Sequence, residues 1–403
     1  MPETRLRADA AALMPELRDL RRILHRRPET GFALPRTRAV VVAALDGLGL
    51  QITTGPDDFT SIVAVLHGSL PGPSVLLRAD MDALRIDECT RLPFASEVPG
   101  AMHACGHDLH TAALVGAARL LSARRDEIRG SVVFMFEPGE EAGGGARRMI
   151  DDGVLTAGGT RVTAAYGIHV LPGVSGVFST RRGALMAGAN TLTVRVIGRG
   201  GHGSRPHQAV DPVPAAAEIV LALHAFATRR FSPFDPVTLS VTKMRASDVV
   251  NVIPDEASLG VTIRTLSTRS VDVLADELPV LVEGIAAAHG CRGEAEFRSV
   301  YPVTVNDPTA ATYALTVLGD LFGPARVEEL EHPAMASEDF SYVLNEVPGA
   351  FIFLGATPEG TDPATAEMNH SPRAIFDDGV LGEQSAALAA LALSHLGASA
   401  DRD

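Results

Sequence analysis

The residues with the clearest chemical potential lie in segment 102–110, which contains three histidines, a cysteine and an aspartate. Cys105 and His107 are separated only by Gly106, so on an extended backbone their side chains would point to the same side. A thiolate beside an imidazole is a suitable ligand pair for zinc or a similar first-row cation. The same residues also fit a buried cysteine flanked by hydrogen-bonded histidines. The segment alone therefore predicts either a metal site or an ordinary polar core.

Further candidate residues follow short apolar segments that are typical of buried strands. Asp80 and Asp82 come after one such segment, Glu140 and Glu141 after another, and His169 lies near the end of a third. Active sites of α/β proteins form at the carboxyl ends of such strands. Of two adjacent glutamates, one can bind a metal while its neighbour acts as a general base. A solvated acidic turn would give the same pattern, so the pair needs support from elsewhere in the chain.

The overall composition restricts the classes to which this chain could belong. Its 403 residues suggest two or three domains, and 46% hydrophobic residues are enough to bury a full core. The net charge of −14 argues against nucleic acid or an anionic membrane as a partner. No apolar run approaches the roughly 18 residues needed to span a bilayer, and the charged N-terminal segment lacks the apolar core of a signal peptide. We therefore expect a cytoplasmic enzyme.

The rare reactive residues restrict the chemistry as well. Lys243 is the only lysine, and no glycine-rich loop precedes it. Catalysis through a Schiff base and phosphate binding by a P-loop are therefore not expected. The three scattered cysteines imply no disulfide framework.

The hydrophobic pattern predicts a catalytic domain interrupted by a smaller domain. After about residue 187, half-exposed strands and helices alternate in the order β-α-β-β-α-β, which is that of a ferredoxin-like unit. An α/β pattern resumes after about residue 305. The predicted fold class is therefore α/β, with a mixed-sheet catalytic domain over 1–187 and 301–403 and an inserted ferredoxin-like α+β domain over 188–300.

Local patterns give more detailed expectations. Residues 10–26 predict an amphipathic helix with leucines inward and Arg18, Arg21 and Arg22 on the solvent side. Asp108 is the predicted N-cap of the helix that follows the histidine-rich segment. In the inserted domain, His202 lies within a glycine-rich segment; it is a functional candidate, although a mobile surface loop fits the pattern equally well.

Taken together, the motifs resemble those of one family, the metal-dependent aminoacylase/carboxypeptidase amidohydrolases. Within it, the chain is most similar to hippurate hydrolases, N-acyl-amino-acid amidohydrolases and indole-3-acetyl-amino-acid hydrolases. The matching stretches occur in order along nearly the whole chain: Arg78-Ala79-Asp80-Met81-Asp82-Ala83-Leu84, Met102 to His107, Glu140-Glu141, Gly167-Ile168-His169, Gly200-Gly201-His202, Asn251-Val252-Ile253-Pro254, Ser337-Glu338-Asp339-Phe340 and His370-Ser371-Pro372.

The resemblance implies two divalent metal ions per chain, which would be zinc, manganese, cobalt or nickel. The implied ligands are Cys105, His107, Glu141, His169 and His370. The resemblance further implies that Glu140 is the general base and that Asp82 orients the site. His202 would stabilise the oxyanion across a homodimer interface formed by the inserted lid domain, and Asn251 would contact the substrate. The expected reaction is hydrolysis of N-acetyl, benzoyl or aryl-acetyl amino acids, with no nucleic acid or membrane partner.

Three alternatives stay open at this point. The same kind of site could cleave dipeptides or the carboxyl-terminal residues of peptides. Cys105 could instead be the nucleophile of a cysteine hydrolase, with His103 or His107 as its base. The chain could also be a metal-stabilised binding protein without catalysis. Four residues depart from the usual pattern, and the first three are expected beside the site, where they would affect substrate preference and metal choice: Arg85, Leu109, Glu137 and Gly139.

Overall fold

The computed structural model describes residues 2–398, and the chain divides into two compact units. Unit 1 contains the residues up to 185, residues 305–332 and the residues from 339 onward. Unit 2 contains residues 186–304 and 333–338. The inserted domain predicted over 188–300 is shorter at both ends than unit 2. The prediction also omitted residues 333–338, because no periodic pattern connects this segment with the rest of unit 2.

Helices and strands alternate through most of the described chain. The helices are α1 (Pro2–Arg26), α2 (Pro35–Leu45), α3 (His107–Ser122), α4 (Gly145–Asp151), α5 (Pro212–Arg230), α6 (Thr268–Ala288), α7 (Pro308–Phe322), α8 (Ser341–Glu346) and α9 (Leu381–Ala398). The strands are β1 (Gln51–Thr54), β2 (Ile62–His67), β3 (Leu70–Asp80), β4 (Arg129–Glu137), β5 (Val162–Leu171), β6 (Phe178–Thr180), β7 (Gly183–Met186), β8 (Gly188–Ile197), β9 (Gly201–His202), β10 (Thr238–Arg245), β11 (Val252–Ile253), β12 (Glu256–Thr265), β13 (Arg292–Tyr301), β14 (Thr304–Asn306), β15 (Val327–Glu329) and β16 (Gly349–Gly355).

Unit 1 is built on an eight-stranded mixed sheet with the strand order β1-β2-β4-β3-β5-β16-β6-β15. The central strands β4, β3, β5 and β16 are parallel, whereas β1 and β2 are antiparallel to their neighbours. The central strands are apolar along most of their length because both faces are covered. The predicted α/β class with a mixed sheet is confirmed.

A helical layer formed by α1, α3 and α9 covers the sheet of unit 1. These helices approach closely at Gly116, where an added Cβ would lie 2.2 Å from Ser385 Oγ and 2.9 Å from a methyl group of Leu17. The Ser385 hydroxyl donates to the carbonyl of Ala113 at 2.9 Å. The middle of α3, which follows the histidine-rich segment, is therefore held by a tightly packed core.

Three local predictions in unit 1 were wrong. Arg21 does not face solvent; it is 1% exposed and makes buried ion pairs. Asp108 is not an N-cap, because α3 begins at His107 and its N-cap residue is Gly106. Gly106 has a φ of 81°, so the backbone between Cys105 and His107 is not extended. An added Cβ on Gly106 would also lie 2.3 Å from Val170, so the tight turn requires glycine for two reasons.

Unit 2 has the architecture that the strand and helix order predicted. Its main sheet is antiparallel with the order β10-β12-β8-β13, and α5 and α6 pack on it around an apolar core. In chain order the elements are β8, α5, β10, β12, α6 and β13, which is the ferredoxin-like sequence of elements. Asp211 caps α5 by accepting a hydrogen bond from Val213 N at 2.9 Å.

The glycine-rich segment of unit 2 is paired, which excludes the alternative of a loose surface loop. Within it, β9 pairs with β11, and His202 lies opposite Val252. Gly200 approaches the neighbouring backbone so closely that an added Cβ would lie 2.7 Å from the carbonyl oxygen of Ile253. Across residues 2–398, no helix is long and apolar enough to cross a membrane.

Candidate metal centre

Parallel strands bring the first group of polar residues to one edge of the sheet. Asp80 ends β3, Glu137 ends β4, and the two residues are register partners. His169 lies near the end of β5, the other parallel neighbour of β3. Because carboxyl ends of parallel strands meet at one edge, these side chains converge there.

Cys105 lies in the turn before α3 and is buried with its sulfur close to imidazole groups. Its Sγ lies 3.5 Å from His169 Nε2. Burial alone would raise the pKa of the Cys105 thiol, but the neighbouring His169, His107 and His370 lower it well below its ordinary value. This environment favours a thiolate, the form of cysteine that binds metals.

His169 and His370 are both oriented by backbone contacts. His169 Nδ1 lies 2.7 Å from the carbonyl oxygen of Val170, so this nitrogen donates and Nε2 is the atom directed at Cys105. The backbone N–H of His370 donates to the Ala104 carbonyl at 2.9 Å. His370 has a φ of 71°, a left-handed conformation that is unusual outside glycine and is typical of functional sites.

Glu141 faces His370. Its Oε1 lies 3.0 Å from His370 Nε2, and contacts with Cys105 and Glu141 raise the pKa of His370 to about 10. The three side chains form a candidate set of metal ligands, in which a bound cation would replace the proton that now balances these negative groups. Their ligand atoms all lie within 4.8 Å of one another.

His107 lies between two buried carboxylates. Its Nε2 lies 3.6 Å from Asp80 Oδ2 and its Nδ1 lies 3.5 Å from Asp82 Oδ1. The ring is 1% exposed, and neither nitrogen makes a hydrogen bond. Burial opposes a charge on this ring, but Asp80, Asp82 and Cys105 raise the pKa of His107 well above its ordinary value. A divalent cation bound at one nitrogen would replace that proton.

Asp82 fixes the turn that carries the two adjacent glutamates. Its Oδ1 accepts from the backbone N–H of Glu140 at 3.1 Å and its Oδ2 accepts from that of Glu141 at 3.2 Å. Glu140 is 7% exposed, and its carboxylate shares a cluster with Glu141 and His107 whose ligand atoms lie within 4.8 Å. Asp82 thus positions the backbone of both glutamates together.

Two further residues, His110 and Asn369, contact this group, and the sequence did not assign them a role. His110 Nε2 accepts from the backbone N–H of Val170 at 2.8 Å, so its Nδ1 carries the proton and donates to Asp80 Oδ1 at 2.6 Å. The Asn369 amide donates to the Cys105 carbonyl at 3.4 Å, to Cys105 Sγ at 3.5 Å and to the Val170 carbonyl at 3.2 Å. His110 could have been found from its spacing to His107 on one helix. The only sequence signal for Asn369 was its position next to His370.

A buried arginine holds the ends of the strands behind the site. Arg78 donates to Asp80 at 2.7 Å, to Glu137 at 2.8 Å and to Asp339 at 3.1 Å. Asp339 also accepts from the backbone N–H of Ala146 at 3.0 Å. The motif residue Asp339 therefore braces the sheet edge, and Glu137 is a partner of Arg78.

Three of the residues that depart from the usual family pattern lie in different surroundings: Leu109, Glu137 and Arg85. Leu109 is fully buried in the hydrophobic core of unit 1. Glu137 is buried against Arg78. Arg85 is exposed. The effect of these three residues on substrate preference stays a prediction.

The donor set fits divalent metal ions. Unit 1 brings together all five predicted ligands, with Glu140 and Asp82 beside them: Cys105, His107, Glu141, His169 and His370. A thiolate, imidazoles and a carboxylate suit zinc, manganese, cobalt or nickel. The contacts of His107 with Asp80 and Asp82, at 3.6 and 3.5 Å, are further support, because they are longer than good hydrogen bonds and place negative charge around both nitrogens.

The remaining predicted site residues, His202 and Asn251, are neighbours within unit 2. The backbone N–H of Gly203 donates to the Asn251 carbonyl at 2.8 Å. The backbone N–H of Ser204 donates to His202 Nδ1 at 3.1 Å. Because Nδ1 accepts this bond, the neutral ring carries its proton on Nε2. His202 is exposed and can present that N–H as a donor.

These features define a class before any comparison is made. A mixed α/β sheet that gathers thiolate, imidazole and carboxylate donors at the ends of its parallel strands is the architecture of a metal-dependent hydrolase. Residues 76–394 match the profile of peptidase family M20/M25/M40. The chain belongs to this family of hydrolases.

Individual relatives cover the chain almost completely. It is 36% identical over 393 residues to thermostable carboxypeptidase 1 of Saccharolobus solfataricus, covering 96% of this chain and 98% of that protein. It is 34% identical over 383 residues to an N-acetylcysteine deacetylase of Bacillus subtilis, covering 95% and 97%. The crystal structure of Bacillus subtilis YXEP, described as a dinuclear metal-binding peptidase of the M20 family, superposes with a TM-score of 0.82 at 32% identity, covering 96% and 99%.

A cysteine hydrolase would need His103 or His107 as its base; the contacts disfavour His103, whereas His107 does interact with Cys105. Cys105 Sγ contacts His169 and Asn369. The His103 ring lies beside that of His25, with centroids 6.2 Å apart. Family membership and the donor set both favour a metal-dependent reaction over a thiol nucleophile.

Proposed function

We propose that this chain is a metal-dependent amidohydrolase that cleaves the amide bond of N-acyl amino acids, releasing a carboxylic acid and an amino acid. The observation that carries the proposal is the pair Glu140–Glu141, anchored through both backbone N–H groups by Asp82. One glutamate faces His370, a proposed ligand, and the other is buried beside it. This division supplies a ligand and a base at neighbouring positions.

We propose that the five converging side chains hold two divalent cations. When bound, such cations polarise an amide carbonyl and lower the pKa of a water molecule from 15.7 towards about 7. The ligands fix the geometry of the site: Cys105, His107, Glu141, His169 and His370. The Asn369 amide and the Val170 carbonyl maintain the orientation of Cys105 and His169.

Glu140 is the proposed general base. Its carboxylate accepts the proton of the attacking water and later delivers that proton to the nitrogen of the leaving amine. Asp82 holds the backbone of Glu140 and so fixes the position from which the carboxylate extends. A site serving only a structural metal would gain nothing from a buried carboxylate beyond its ligands, which argues against a non-catalytic binding protein.

His202 is proposed to stabilise the oxyanion through its Nε2–H, and Asn251 is proposed to contact the substrate. The bond from Ser204 to His202 Nδ1 supports the donor role because it selects the required tautomer. By family resemblance, His202 acts in the site of a second copy, so we also propose a homodimer joined through the domain over 188–300. The cytoplasmic location stays a prediction from the sequence.

A second candidate function is the hydrolysis of peptides. The similarity to thermostable carboxypeptidase 1 favours it, whereas the similarity to an N-acetylcysteine deacetylase favours N-acyl amino acids. Both reactions break a linear amide and use the same base, so the difference lies in what occupies the acyl side.

The test is a substrate screen with the metal varied. Metal-free protein is reconstituted with zinc, manganese, cobalt or nickel and assayed on N-acetyl, N-benzoyl and indole-3-acetyl amino acids and on unblocked dipeptides. We expect at least one N-acyl amino acid to be cleaved with a kcat/KM at least tenfold above that of any dipeptide. Faster cleavage of dipeptides would select the peptidase alternative, and no cleavage with any metal would refute the proposal.

A further inference from the structure

A buried ionic network connects α1 with the first turn of α3. Arg21, on α1, is 1% exposed. Its Nε donates to Asp108 Oδ2 at 2.6 Å, and its NH1 donates to Asp378 Oδ1 at 2.7 Å. Asp108 directly follows His107. The most deeply buried guanidinium of α1 therefore pairs with the residue next to a proposed metal ligand.

His25, one turn further along α1, extends the network. Its Nδ1 lies 2.7 Å from Asp108 Oδ2, and its Nε2 lies 3.3 Å from Glu88 Oε2. Burial opposes a charge on the ring, but Asp108 and Glu88 outweigh it, and the pKa of His25 lies above its ordinary value. His25 thus holds two carboxylates, one on α3 and one in the irregular segment 85–101 that leads towards Cys105.

The start of α3 depends on these contacts because it lacks a cap of its own. Its N-cap is Gly106, which has no side chain to accept from the first N–H groups. Asp108 is in the first turn, where a carboxylate also interacts favourably with the helix dipole. His110 and Thr111 hold the face of this turn towards Asp80, and the bonds from Asp108 to Arg21 and His25 hold the other side, next to His107.

Stability alone is a poor explanation for this network. Buried ion pairs are often no more stabilising than apolar residues of similar volume. This one leaves Asp108 Oδ1 and both ring nitrogens of His103 buried without a hydrogen-bond partner, and each such vacancy is destabilising. Contacts that orient metal ligands, in contrast, typically change metal affinity 10- to 100-fold when they are removed.

We propose that Arg21 and His25 are positioning residues that set the metal-binding turn 105–107 by holding Asp108. The proposal rests on the proposed assignment of Cys105 and His107 as ligands.

The test compares the two carboxylates that share Arg21. Asp108→Asn and Asp378→Asn each remove one charged partner of the same guanidinium, but only the first alters the turn that carries His107. Zinc and manganese affinities of the metal-free protein are measured by competition with a chromophoric chelator, and thermal unfolding of the metal-free protein is measured in parallel. We expect Asp108→Asn to weaken metal binding 10- to 100-fold and Asp378→Asn to change it less than threefold, while both lower the unfolding temperature.

A double variant tests whether Arg21 acts through Asp108. Arg21→Met alone leaves the Asp108 carboxylate with His25 as its remaining cationic partner. Combining Arg21→Met with Asp108→Asn removes that carboxylate as well, which favours folding of the double variant. We expect the double variant to bind metal as tightly as Asp108→Asn alone, within a factor of three, because the same contact is lost. His25→Gln, distant in sequence from every ligand, is expected to weaken binding at least fivefold.

The inference would be overturned if Asp108→Asn and Asp378→Asn had equal metal affinities, or if the double variant bound metal like the wild type. Either result would mean that the network has only a structural role. Failure of the proposed function is distinguishable, because the wild-type protein itself would then bind neither metal or would bind metal without hydrolysing any substrate.

Discussion

Replacing Glu140 by glutamine separates the chemical step from the architecture of the site. The side chain keeps its length, and the backbone bond from residue 140 to Asp82 does not involve the carboxylate. The fold and the neighbouring Glu141 should therefore be unaffected. Loss of a general base typically lowers the rate about 10²- to 10⁴-fold, which corresponds to about 2.7–5.4 kcal/mol of transition-state stabilisation at 1.36 kcal/mol per tenfold change.

Glu141→Gln is the matched control, since it changes the adjacent residue in the same way. Its carboxylate lies 3.0 Å from His370 Nε2, so this variant should lose metal as well as activity. Metal content is measured by plasma mass spectrometry after dialysis, and kcat is measured with an N-acyl amino acid at saturating metal. We expect Glu140→Gln to retain wild-type metal content at a reduced kcat. Metal loss from Glu140→Gln with retention in Glu141→Gln would show that the two roles are reversed.

The remaining predictions concern other parts of the site. Cys105→Ala should lose metal and activity together, and two metals per chain with full activity would contradict its role as a ligand. Asn369→Asp places a carboxylate where an amide now donates to Cys105 Sγ, so metal affinity should fall about 10- to 100-fold. Asn369→Ala should lower metal affinity by less. Equal metal affinities of these two variants would refute the donor role of Asn369. His202→Ala should fold and bind metal normally but lose kcat far more than KM. Mixed with Glu140→Gln it should recover about a quarter of wild-type activity in a statistical mixture of dimers; no recovery in proven mixed dimers would place His202 outside the partner site.

Much of the fold could be predicted because the relevant signals are local. The apolar runs of β3 and β4 and the periodic leucines of α1 are each contained in a few consecutive residues. Parallel strands then bring their carboxyl ends together, so Asp80 and His169 converge although they are distant in sequence. The same rule indicated Asp80, Asp82 and the two glutamates as candidates, whereas the complete ligand set was implied by the family resemblance.

The burial of Arg21 could not be predicted, because the helical pattern assigns charged residues to solvent. Its partners Asp108 and Asp378 lie 87 and 357 residues away along the chain. No periodicity within α1 indicates that two carboxylates will meet this face. A buried charge can therefore be recognised only when the tertiary contacts that neutralise it are known.

Local backbone conformation was also predicted wrongly. The expectation that Cys105 and His107 share one side assumed an extended chain, but Gly106 adopts a left-handed conformation and His107 begins a helix. Both residues still reach the site, because the turn and the first helical turn together redirect them. His370 also has a positive φ, and its residue type gave no indication of this.

His110 shows why residue type and proximity are not sufficient to assign a ligand. It belongs to a cluster with Asp80, His107 and His169 whose ligand atoms lie within 4.8 Å. Its Nε2, however, accepts from a backbone N–H and its Nδ1 donates to Asp80. Both nitrogens are already used by the protein, whereas neither nitrogen of His107 makes a hydrogen bond. This difference favours His107 over His110 as the proposed ligand, whereas the contacts of His110 hold Asp80 and the end of β5 in place.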